Sequence, residues 1–130
     1  MKMMLTLSLG LMAMALNSQA TEIRGARLDA TGKNVLIDVS YGGGCENHEF
    51  SLKLKGCFES YPVQCQADLV HLTEDHCEAY ISETISINLA QSGIQGGYYF
   101  NGSLTIQSPE GAPGKNKATV DLPAMNSTAN

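Results

Sequence analysis

The chain has 130 residues, 8 Lys and Arg against 13 Asp and Glu, and a formal net charge of −5. It contains no Lys/Arg cluster or basic stripe, which excludes the electrostatic footprint of a nucleic-acid partner or of an anionic membrane surface. It carries four cysteines, and an even number of them behind a secretion signal reads as disulfides formed in an oxidising compartment.

Residues 1–20 have the three parts of a signal peptide. Lys2 supplies the positive start. Residues 3–16 are an apolar run, too short for a membrane span of roughly 20 residues. Ser18 and Ala20 are the small residues a signal peptidase requires, so cleavage is expected after Ala20. No cysteine stands near that point to accept a lipid. The expectation is a periplasmic or secreted protein, with no membrane span in the mature chain. Residues 21–124 are expected to form a single domain, and the small polar residues 125–130 a flexible tail.

From residue 21 onward the sequence alternates with period two, the mark of half-buried strands. Residues 23–28 read as a first strand. Val35, Ile37, Val39 and Tyr41 form a second, and Phe50, Leu52 and Leu54 a third. A fourth carries Val70 and Leu72. Ile85, Ile87 and Leu89 mark a fifth. Tyr98, Phe100, Leu104 and Ile106 share one parity and read as a sixth, and Ala118, Val120 and Leu122 as a seventh. Gly- and Pro-containing turns separate these runs. The expected fold is all-β: an antiparallel β-sandwich of about seven strands, with immunoglobulin-like topology as one arrangement and a small barrel as the alternative.

The cysteines supply a register. Cys45 with Cys77, and Cys57 with Cys65, are both centred on Tyr61. One antiparallel hairpin turning there would make each pair face. Four cysteines allow three connectivities, and this geometry favours Cys45–Cys77 and Cys57–Cys65. The same register sets Phe50 opposite Leu72 and Leu52 opposite Val70, on a core-facing surface. It leaves the cysteines on the more polar face.

Three groups of residues invite a functional reading. The register places Glu46 opposite His76 and His48 opposite Glu74, a set able to hold zinc or copper or simply to form a charged strand end. His71 falls on the other face, and joining it to this set would require a bulge. Residues 58–64 form a loop tied at its base by Cys57–Cys65, displaying Phe58, Tyr61 and Pro62. Such a pre-organised loop suits recognition of a protein, protease inhibition included, because less ordering entropy is lost on binding. Gly42-Gly43-Gly44 lacks the Lys-Ser/Thr of a phosphate loop and reads as a connection into Cys45. No hydrolase motif such as G-x-S-x-G occurs, so an enzyme is not expected.

Residues 39–50 contain Gly42-Gly43-Gly44-Cys45, His48 and Phe50. They resemble a G-G-G-C-x-x-H-x-F signature of uncharacterised bacterial secreted proteins and lipoproteins. Pro62-Val63-Gln64 and Cys77-Glu78-Ala79 fit the same pattern, and the resemblance covers residues 35–90. It implies an envelope or secreted protein in which Cys45, His48 and Cys77 belong together, favouring the outer bridge. The chain departs from the pattern by lacking a lipid-acceptor cysteine and by adding Cys57 and Cys65. The expectation from sequence is therefore a non-enzymatic, disulfide-stabilised module binding a protein or other envelope component without a cofactor. A divalent-metal-binding envelope protein is the alternative, and a protease-inhibitor-like module the second.

Overall fold

A computed structural model describes residues 21–123. The expected signal peptide and the expected tail lie outside the described residues. Within them the chain forms seven strands: β1 Glu22–Leu28, β2 Asn34–Gly43, β3 Phe50–Phe58, β4 Gln64–His71, β5 Ala79–Asn88, β6 Ser103–Gln107 and β7 Lys117–Asp121. They make two sheets, ordered β1-β2-β5 and β3-β4-β6-β7. Among the described residues no closed barrel forms, and the architecture is a β-sandwich.

Alternation builds the core as expected. Val35, Ile37 and Val39 of β2 are almost wholly buried, facing Leu104 and Ile106 of β6 and Val120 of β7 within one cluster. Each such side chain contributes about 1.5–3 kcal/mol of apolar burial. The β1–β2 turn is organised by Asp29, whose carboxylate accepts from the Thr31 hydroxyl at 2.7 Å and the Asn34 amide at 2.7 Å. The Asn34 side chain first, then that of Thr31, holds the Asp29 carboxyl down to about 2.

The sheets depart from the sequence expectation in three ways. First, β4 pairs with β6 in parallel, so the four-stranded sheet is mixed rather than antiparallel throughout. In an immunoglobulin sheet the third strand neighbours the sixth; here β4 takes that place. Second, the sixth strand starts late. Tyr98 and Phe100 do not extend it: Gly97–Tyr99 forms a 3₁₀ turn and Asn101 takes φ 63°. The Gly96-Gly97 and Asn101-Gly102 pairs break the strand despite its parity. At Gly102 a Cβ would stand 2.5 Å from the Val63 carbonyl, so only glycine lets β6 pack there.

Third, the hairpin register changes partway along. Cys57 pairs with Cys65 and Phe58 with Gln64, as the cysteine spacing requires. A bulge between Leu54 and Gly56 then shifts the ladder by one residue. Leu52 faces Leu69 rather than Val70, and Phe50 faces His71 rather than Leu72. The inward face of β4 is therefore Cys65, Ala67 and Leu69, while Leu72 is 56% exposed. A one-residue slip exchanges the faces of a strand, and Gly56, at φ 156°, supplies the backbone for it.

Candidate functional site

The bulge decides what stands at one end of the sandwich. His71 follows Leu69 on the inward parity of β4, just as Tyr41 follows Val39 on β2. Both strands thus end their apolar rows with a ring that has a polar edge. Phe50, at the start of β3, stacks on His71 with centroids 4.3 Å apart. Tyr41 meets the edge of His71 at 5.0 Å and stacks on His48 at 4.5 Å. The Tyr41 hydroxyl donates to Glu83 on β5. Burial first, then that carboxylate, pushes the phenol above its usual range.

His48 and Asp75 arrive from loops. His48 lies between β2 and β3, and Asp75 between β4 and β5. The Cys45–Cys77 bridge joins these two connections, and the side chains of His48 and Asp75 are 1% and 0% exposed. Asp75 Oδ2 accepts from His48 Nε2 at 2.8 Å and from the backbone N–H groups of Cys45 and Glu46 at 3.0 and 2.9 Å. Its Oδ1 accepts from the Cys77 N–H at 3.0 Å. The His48 hydrogen bond first, then the Cys77 N–H, holds the carboxyl far below the usual carboxylate range. Gly43 makes room for this pair: a Cβ there would lie 2.7 Å from His48 Nε2 and 3.0 Å from Asp75 Oδ2.

The contacts continue through His48 Nδ1 to His71 Nε2, and from His71 Nδ1 to Thr21 Oγ1 at 3.0 Å. The direction of each bond in the neutral pair follows from Asp75. An ionised carboxylate only accepts, so His48 carries its proton on Nε2. His48 Nδ1 is then an acceptor and takes the Nε2–H of His71. That leaves His71 Nδ1 to accept the Thr21 hydroxyl. The result is one buried, unidirectional row: Thr21, His71, His48, Asp75.

The structure separates the residues that the sequence grouped. His48 turns inward, while Glu46, Glu74 and His76 are exposed. Among the described residues, no hydrogen bond or ion pair joins those three to His48. The unshifted hairpin register that put them opposite one another does not extend past the bulge, and neither Glu46, Glu74 nor His76 lies on a paired strand. Among the described residues, Cys45, Asp75 and Cys77 bring three metal-type ligand atoms together. The two sulfurs are bonded to each other and are not thiolates, so this set does not fit a metal. Asp75 and Thr21 carried no sequence signal. His71 did: it needed a bulge, and the bulge is present.

The opposite end of the β3–β4 hairpin carries the displayed loop. Cys57–Cys65 closes its base. Val63 is buried beneath it, and the Ser60 hydroxyl donates to the Pro62 carbonyl at 2.9 Å. Above these anchors Tyr61 is 96% exposed and Phe58 61% exposed; Pro62 is also exposed. Tyr98 stands near the same loop: burial first, then the charge of Glu59, raises its phenol above the usual range.

Comparison of the chain with the profiles of known protein families, with curated proteins and with solved structures finds no match.

Proposed function

We propose that the protein is a periplasmic or secreted binding module whose recognition surface is the loop of Phe58, Tyr61 and Pro62, and whose partner is another protein of the envelope. Two disulfides suit an oxidising compartment. No helix among the described residues is long and apolar enough to cross a membrane.

The single observation that carries this reading is Tyr61, almost fully exposed on a loop anchored at both ends. An isolated exposed aromatic costs solubility without helping the core. Held by a bridge, a buried Val63 and a side-chain clasp, it is ordered before binding. Aromatic anchors of this kind dominate interface energies, because they bury much area with few rotatable bonds.

The test is capture of envelope proteins by the purified mature protein, compared with Tyr61→Ala and with Tyr80→Ala. Tyr80 is also well exposed, at 66%, and lies on β5. Tyr61→Ala is expected to weaken capture about tenfold or more, equivalent to at least ~1.4 kcal/mol, while Tyr80→Ala leaves it unchanged. Undiminished capture by Tyr61→Ala removes the loop as the recognition surface.

A further inference from the structure

The row from Asp75 to Thr21 has the logic of an activated nucleophile. A hydroxyl is hydrogen-bonded to a base, and the base is oriented by further groups ending in a buried carboxylate. Four observations join here. Thr21 Oγ1 lies 3.0 Å from His71 Nδ1. His71 is held by His48, and His48 by Asp75. The stacked rings of Phe50 and Tyr41 fix both imidazole planes. A cavity of about 230 Å³ opens beside Thr21 and His71, with Ser108, Asp68 and Glu110 also on its wall.

We propose that Thr21 is a nucleophilic hydroxyl, that His71 is its general base, and that the site takes the acyl group of a small, neutral carboxylic ester. The cavity, about 230 Å³ in volume, has room for a small acyl group. Glu110 on its wall disfavours an anionic substrate, while Asp68 there is paired with Lys55 at 3.2 Å. Thr21 Oγ bonds to the acyl carbon while its proton passes to His71 Nδ1. The positive charge gained by the imidazole pair is balanced by Asp75. Collapse of the tetrahedral intermediate breaks the bond to the alcohol, which leaves with the proton from His71. Water then attacks the acyl-threonine ester, returns a proton through His71, and releases the acid. Ser108, itself buried, is the hydroxyl donor on the same wall for the developing oxyanion. His48 and Asp75 are positioning residues. This activity is separate from the loop at the far end of the hairpin and does not rest on it. Expected cleavage after Ala20 makes Thr21 the first residue of the mature chain, the form to assay.

The probe is p-nitrophenyl acetate, with acetylation read by intact mass and peptide mapping. The mature protein is expected to take one hydroxylamine-labile acetyl ester on the Thr21 hydroxyl, distinct from the hydroxylamine-stable amide that the probe forms on α- and ε-amines. Thr21→Val, which keeps the shape of the side chain but removes the hydroxyl, is expected to abolish that adduct in a protein that still melts cooperatively, and Thr21→Ser to retain it. His71→Gln is expected to slow acetylation by about 10²-fold. If His71→Gln fails to fold, the Thr21→Val and Thr21→Ser pair still decides the matter. No labile ester on Thr21, or a labile ester that persists in Thr21→Val, overturns the proposal.

Discussion

Gly43 and Asp75 show how single residues fix the buried polar end of the sandwich. Gly43 leaves no room for a side chain beside His48 and Asp75. Gly43→Ala is therefore expected to cost about 1–3 kcal/mol, the usual range for overpacking. Calorimetry should show the lower melting temperature. Gly97→Ala is the control: its nearest neighbour would be 4.0 Å away, and its melting temperature should hold. Asp75 sets the proton positions of both histidines. Long-range proton–nitrogen NMR near neutral pH should find His48 and His71 each protonated on Nε2. A proton on His71 Nδ1 in the neutral ring would contradict this direction. None of this was legible from Asp75 itself, which looks like any loop acid. Its role comes from three backbone N–H groups that converge only once the two loops are joined.

Strands were the legible elements. The period-two rows of β2 and β7 gave their inward faces correctly, because each row continues unbroken through the strand. β3 and β4 did not, because the cysteine spacing is true only on the turn side of Gly56. Phe50 opposite Leu72 is an attractive apolar pair, and the structure instead exposes Leu72 and brings in His71. A bulge costs one residue and leaves no mark in composition. The parallel β4–β6 pairing was equally hidden, since it depends on long-range order rather than on any local pattern. The two bridges survive this correction for different reasons. Cys57–Cys65 sits within the paired ladder. Cys45–Cys77 lies beyond it, joining loops 32 residues apart in sequence. In the chain-entropy model a closure of that length contributes roughly 3–4 kcal/mol. Cys45→Ala with Cys77→Ala should therefore lower the denaturant midpoint substantially. The same variant should also deprotect the Glu46 and Cys77-position amides in hydrogen exchange, because the Asp75 cradle depends on that join.

At the scale of the whole molecule the hairpin links two unlike ends, a buried polar row and a displayed aromatic loop. Acid stability belongs to this scale. Asp29 and Asp75 both have depressed pKa values in the folded chain. A depressed carboxyl contributes stability that is complete above its unfolded value, near 4. That contribution is lost as pH falls through the folded value, about 2 for Asp29 and lower for Asp75. From these groups the melting temperature should be level from pH 7 to about 4.5 and fall progressively below about 4. Asp75→Asn should flatten the lowest part of that fall, and its baseline stability should be lower than the parent's. The recognition reading is tested most directly by a photo-crosslinking residue placed at Tyr61 and, separately, at Tyr80 in cells secreting the protein. The account predicts a discrete crosslinked partner from position 61 and none from position 80. A partner captured from position 80 alone, or no position-61 product in cells where the protein is secreted and folded, would contradict it.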